Sequence, residues 1–156
     1  MRPLCKSLLA PLLLLLPFQT QARVWLTELQ SLTYPTAIKN SHKASRVVVT
    51  WKGGLGGSTN VALLDSYYHQ AKYRITSNSK RPISIDIVNL GNEAKVNLRG
   101  FKVRYRDRTY KRFPVTNLEN PGREGEEIWI GATVTAGQRA KPGLKLPAYW
   151  LEVTDR

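Results

Sequence analysis

Thiols are almost missing from this chain: Cys5 is the single cysteine. It stands before the apolar run of residues 8–18 rather than directly after it, the wrong side for lipid attachment. Everything beyond residue 22 is free of cysteine, which excludes a disulfide framework, a thiolate metal site and a cysteine nucleophile there. Histidine is scarce as well. His42 lies in a basic polar loop and His69 beside two tyrosines, and neither has a partner at a metal-ligand spacing such as H-x-x-x-H. No G-x-S-x-G elbow surrounds a serine. Asp65, Asp86 and Asp107 are scattered among strands, while Glu124, Glu126 and Glu127 share a turn with Arg123, where surface ion pairing explains them better than an acid–base pair. Sustained helical periodicity, internal repeats and a domain linker are missing too. No catalytic, cofactor or metal set can be assembled, so a non-enzymatic protein is expected.

What is present begins with a leader. Arg2 and Lys6 precede an apolar run too short to cross a bilayer as a helix, and Thr20-Gln21-Ala22 supplies small residues at the spacing a signal peptidase reads. Residues 1–22 are therefore predicted to be a signal peptide and residues 23–156 a single exported domain, with no transmembrane segment after cleavage. The periplasm, the cell surface and the medium are the expected locations. The remaining 134 residues are enough for one core without disulfides. Across the chain 24 basic residues oppose 11 acidic ones; losing Arg2 and Lys6 with the leader leaves 22 against 11, a net charge of +11. Such a charge favours an acidic partner: anionic lipid headgroups or lipopolysaccharide, an anionic surface glycan, nucleic acid or an acidic protein surface. A monomeric secreted module binding anionic glycans or lipid headgroups is one function it fits. Export argues against intracellular nucleic acid.

The rest of the sequence alternates in extended fashion. Residues 23–34 read as a first strand closed by Pro35, and Val47–Trp51 as a short second one. The glycines at 53, 54, 56 and 57 lack the Gly-Lys-Ser/Thr of a phosphate loop and read as a turn. Residues 67–76 and 83–89 each put isoleucine and other apolar side chains on one face and polar ones on the other, and are expected to pair through the turn at 77–82. Phe101, Val103 and Tyr105 point inward in the next strand, with Lys102, Arg104 and Arg106 outward. A long terminal hairpin is expected from Ile128 to Val153, its core supplied by Ile130, Ala132, Val134, Leu151 and Val153. The spacing predicts one all-β antiparallel sandwich of about seven strands.

One feature stands above this background. Lys102, Arg104, Arg106, Arg108, Lys111 and Arg112 crowd a short stretch together with Tyr105 and Tyr110. Alternation places several of these cations on one face, able to hold phosphate or sulfate groups while the tyrosines stack on sugars. The competing explanation is a solvated face or an edge strand kept soluble by charge.

The segments A-K-Y-R-I-T (71–76), I-S-I-D-I-V-N (83–89), F-K-V-R-Y (101–105), I-G-A-T-V-T-A (130–136), K-P-G (141–143) and Y-W-L-E-V-T (149–154) together resemble the pilin-like secreted domains of Gram-negative bacteria. Leu32-Thr33-Tyr34 stands where those domains carry a Leu-x-Phe-Gly opening strand. The resemblance implies an immunoglobulin-like sandwich, complete or one strand short as in chaperone-usher pilins, used as a structural or adhesive fimbrial subunit. In such a subunit a periplasmic chaperone, and then the extension of a neighbouring fimbrial subunit, would supply a strand by β-addition. Trp25, Thr27 and Leu29 would be the donor row, or would belong to this domain's own first strand. The arm of residues 23–31 is short for a donor, and the high positive charge departs from the pilin pattern.

Overall fold

A computed structural model describes residues 23–91, 94–145 and 147–156. The predicted leader, residues 1–22, lies outside them. The described chain is all-β, with strands in antiparallel sheets that face one another as a sandwich.

The central strand is the longest, β10 (Glu126–Ala136), rich in isoleucine, threonine and valine as extended segments prefer. Along one side it pairs with β7 (Val96–Tyr105). Its other side is shared. β5 (Ala71–Ser77) occupies residues 126–130 and β3 (Ser45–Val49) occupies residues 132–136. β1 (Val24–Gln30) adds to β5, and β8 (Arg108–Tyr110) to β7, completing the larger sheet. The smaller sheet has β6 (Ile83–Asn89) in its middle, flanked by β11 (Tyr149–Asp155) and β9 (Val115–Leu118). A separate ribbon pairs β2 (Ala37–Lys39) with β4 (Val61–Leu63).

The core lies between the two sheets. Ala71 and Ile75 of β5, Val103 and Tyr105 of β7, and Ile128 and Ile130 of β10 pack against Ile83, Ile85 and Ile87 of β6 and Leu118 of β9. Five of the isoleucines are 0–1 % exposed, each a burial of about 1.5–3 kcal/mol of side-chain transfer energy. Around these core residues the two-residue period holds, so Lys72, Arg74, Lys102, Arg104 and Trp129 are turned to the opposite, outer face of the larger sheet.

Two expected pairings are corrected. β10 and β11 do not form a terminal hairpin: they belong to different sheets, and β11 pairs with β6, with Leu151 opposite Ile87 and Val153 opposite Ile85. β5 and β6 likewise face each other across the core instead of pairing edge to edge. An apolar row is satisfied equally by a neighbour in its own sheet or by one across the sandwich, and here the second arrangement holds. Of the expected core, Ile130 and Ala132 are buried, while Val134, Leu151 and Val153 are half-buried.

Candidate functional site

The outer face of the larger sheet gathers aromatic and cationic side chains from five separate stretches. Direct pairing puts Lys72, Trp129, Arg104 and Thr109 in one row across β5, β10, β7 and β8. The next row holds Arg74 and Glu127, joined by a 3.0 Å ion pair, with Thr27 beside them on β1. On the other flank of Trp129, Gly131 is paired with Lys102.

Gly131 is what lets β3 leave the sheet. A Cβ on this residue would lie 2.3 Å from Trp51 N and 2.5 Å from Thr50 C, so the backbone after β3 passes directly over it on the outer side. Below that point the freed edge of β10 is taken by β5. The ladder between β10 and β7 is irregular at the same level, between Gly131 and Thr133, and opposite this irregularity Gly100 turns the chain with a φ of 59° that disfavours any side chain. Two glycines and a displaced strand leave a cavity of about 210 Å³, lined by Thr50, Trp51, Lys52, Gly100, Lys102 and Gly131 among others.

Trp51 is the aromatic wall of that cavity. The Lys52 Nζ lies 5.4 Å from its ring centroid and the Arg104 guanidinium 5.3 Å, so two cations attend one indole. The same guanidinium is held in place by donating from Nη1 to the Asp107 carbonyl at 2.6 Å. Its carboxylate partner, Asp107, is 3.6 Å away and fully exposed, too open to cancel the charge.

The basic row expected from sequence is split by a hairpin. Tyr105 pairs with Arg108 and Arg104 with Thr109, so the chain reverses within Arg106 and Asp107, with Arg106 at a φ of 50°. Lys102 and Arg104 stay on the outer face. Arg106 turns away: its guanidinium sits 2.7 Å from Glu119, 3.8 Å from Glu126 and over the Tyr105 ring, and it donates to the Asn120 carbonyl, clamping the hairpin tip to the segment before β10. Arg108, being opposite Tyr105, lies on the other side of the ladder from Arg104, and Lys111 and Arg112 follow as exposed residues beyond β8. Tyr105 is 2 % exposed and donates its hydroxyl to the Glu119 carbonyl at 2.6 Å, which makes it a core residue and no sugar platform.

The residues read as a donor row are placed in β1, hydrogen-bonded to β5 of the same chain. Trp25 pairs with Thr76 and Thr27 with Arg74 on the outer face, and Leu29 occupies the irregularity between Glu28 and Gln30. Sequence reasoning passed over Trp51, Lys52, Lys72 and Trp129 as site residues. Trp51-Lys52, Lys72 and Trp129 come from three separate stretches, and only the sharing of one β10 edge brings them together. His42 is bonded within its own loop, to Ser41, and His69 joins its segment to the distant Ser31 carbonyl. Among the described residues no three His, Cys, Asp or Glu side chains converge as metal ligands would. No protein-family model, no curated protein and no solved structure matches the chain.

Proposed function

We propose that this is an exported, non-enzymatic binding domain that holds an anionic saccharide, a free polysaccharide or the phosphorylated sugar part of lipopolysaccharide, on the outer face of its larger sheet. The observation that carries the reading is Trp51 with Lys52 and Arg104 about its ring, beside Lys102 and next to Trp129 and Lys72. A sugar ring is apolar on its faces and polar at its rim, so an indole accepts the face while neighbouring cations meet sulfate, phosphate or carboxylate groups. The expected net charge of +11 on residues 23–156 adds long-range attraction to the same class of ligand.

Retention on immobilised heparin, and on immobilised lipopolysaccharide, tests this. The triple change Lys72→Gln, Lys102→Gln and Arg104→Gln removes three charges from the face. Arg108→Gln, Lys111→Gln and Arg112→Gln removes as many from outside it. The first set should elute at markedly lower salt and the second close to wild type. Equal losses would mean that net charge alone binds, and the face would have no special part.

A second reading, the pilin-like subunit, is favoured by the edges. β1 and β11 lie alongside each other at one margin of the sandwich, and among the described residues each is hydrogen-bonded within its sheet on one side only. Such an edge can accept a strand from a neighbouring subunit or a chaperone. A peptide of residues 23–31 added to the isolated domain of residues 23–156 separates the two readings. Raised thermal stability or rescued folding supports a subunit awaiting a strand, and indifference supports a self-contained binding domain.

A further inference from the structure

Three of the four tryptophans lie on one face, and their order along it has a meaning of its own. Trp25 belongs to the outer face because it pairs with Thr76, in phase with Arg74 and Lys72. It is 46 % exposed and borders a second cavity, of about 280 Å³, with Thr76, Ser77, Asn78 and Arg123. Trp129 shares its row with Lys72, four residues further along β5. Trp51 sits over Gly131, another two residues on. At about 3.4 Å per residue the Trp25 and Trp51 levels are roughly 20 Å apart along the strands, and Trp129 lies between them. Each end of this line is a cavity with an indole and a cation: Trp25 with Arg123, Trp51 with Lys52 and Lys102. At the middle, Trp129 is flanked by Lys72 and Arg104.

Building on the function proposed above, we infer that the face is a track for an extended anionic polysaccharide, with an end subsite at Trp25 and Arg123 remote from the one at Trp51. A single charged sugar would need one cavity only. Because Trp25 is on β1, two strands from β10, the line crosses the sheet obliquely. Aromatic and cationic groups repeated over this length suit a chain of several sugar units lying along it, with successive rings on successive indoles and the charged substituents met on either side. The ion pair of Arg74 with Glu127 lies between the Trp25 and Trp129 levels and takes the Arg74 charge out of competition, so the track has cationic stations separated by a neutral stretch.

Calorimetric titration of residues 23–156 with size-defined heparin oligosaccharides reads this directly. A dodecasaccharide should bind at least tenfold more tightly than a tetrasaccharide. Trp51→Ala should weaken both, whereas Trp25→Ala should weaken the dodecasaccharide about tenfold and leave the tetrasaccharide unchanged. Arg123→Gln, on an exposed loop residue, should shift the dodecasaccharide in the same direction by a smaller factor, and covers the case in which Trp25→Ala fails to fold. If Trp25→Ala and Arg123→Gln leave the dodecasaccharide affinity untouched, or if the two lengths bind alike, the track is refuted while the saccharide site at Trp51 stands. If neither oligosaccharide binds the wild-type chain, the underlying function falls instead.

Discussion

Gly131→Ala is the sharpest perturbation this fold offers. No positive φ is involved at this position, so the replacement residue is not strained in itself; the difficulty is space. The added methyl would meet Trp51 N at 2.3 Å, Thr50 C at 2.5 Å and the Val49 carbonyl oxygen at 2.6 Å, all backbone atoms with no side-chain torsion to turn aside. Relief requires the end of β3 and its turn to rise by about 1 Å, an overpacking that costs on the order of 3 kcal/mol. That turn is tied by the Thr50 amide to Gly54 and the Gly53 amide to Thr50, and Val49 is locked opposite Ala132, so the movement cannot remain local. Against a total stability of about 5–15 kcal/mol the melting temperature should fall by roughly 10 °C. Gly57→Ala is the control: nothing lies within 4 Å of its added methyl, and it should melt within a few degrees of wild type. Differential scanning calorimetry of the two variants compares them. Because the same displacement lifts Trp51 from Arg104, Gly131→Ala should also elute earlier from heparin with every cation intact. A Gly131→Ala protein as stable and as well retained as Gly57→Ala would refute the crossing of β3 over β10.

Alkaline pH should unfold the domain. Tyr34, Tyr73, Tyr105 and Tyr149 are all held above the ordinary phenol value near 10, chiefly by burial. Above pH 10 the unfolded chain releases phenolic protons that the folded chain retains, so the stability present below pH 10 is lost as pH rises beyond it; melting temperatures falling from pH 9 to 11.5 would bear this out, and a constant melting temperature over that range would not. Tyr149→Phe removes a 3.0 Å hydroxyl contact with Tyr73 that joins the two sheets and should cost about 1 kcal/mol in urea unfolding. Tyr34→Phe is expected to be neutral or stabilising by about as much, since the Tyr34 hydroxyl is buried with no partner among the described residues. Ile130→Ala, at a fully buried position of the central strand, should lose about 2–5 kcal/mol by the same assay; less than 1 kcal/mol would place the core elsewhere.

The long strands were legible in the residues because alternation is a local property, whereas β2, β4, β8 and β9, of three or four residues each, are too short to show a period. The described residues therefore hold eleven strands where about seven were expected. The inward rows of β5, β6, β7 and β10 fall where the sequence puts them. Partnership was not legible, because Ile128 and Ile130 would bury as well beneath Leu151 and Val153 in one sheet as above Ile83 and Ile85 across the core. Lengths held a clue: the segment of residues 137–148 is far longer than the two to five residues of a hairpin loop, and residues 78–82, between β5 and β6, contain no glycine. The split of the basic row was hidden for the opposite reason. Arg106-Asp107 reverses the chain in two residues without the Asn-Gly or Asp-Gly that announces such a turn, and the carboxylates of Glu119 and Glu126 hold Arg106 there. Lys102 and Arg104 were in view from the start. Their aromatic companions were not, since Trp51 reaches them only where a glycine on another strand leaves room.

The arrangement around β10 also sets an order of events. The strand that β3, β5 and β7 share begins at Glu126, so a chain delivered N-terminus first presents all three before their common neighbour exists. Every pairing of the large sheet except β1 with β5 and β7 with β8 waits for the last fifth of the sequence. Distant pairings of this kind close slowly. A polypeptide wired in this way assembles its large sheet only once nearly all of it has been made.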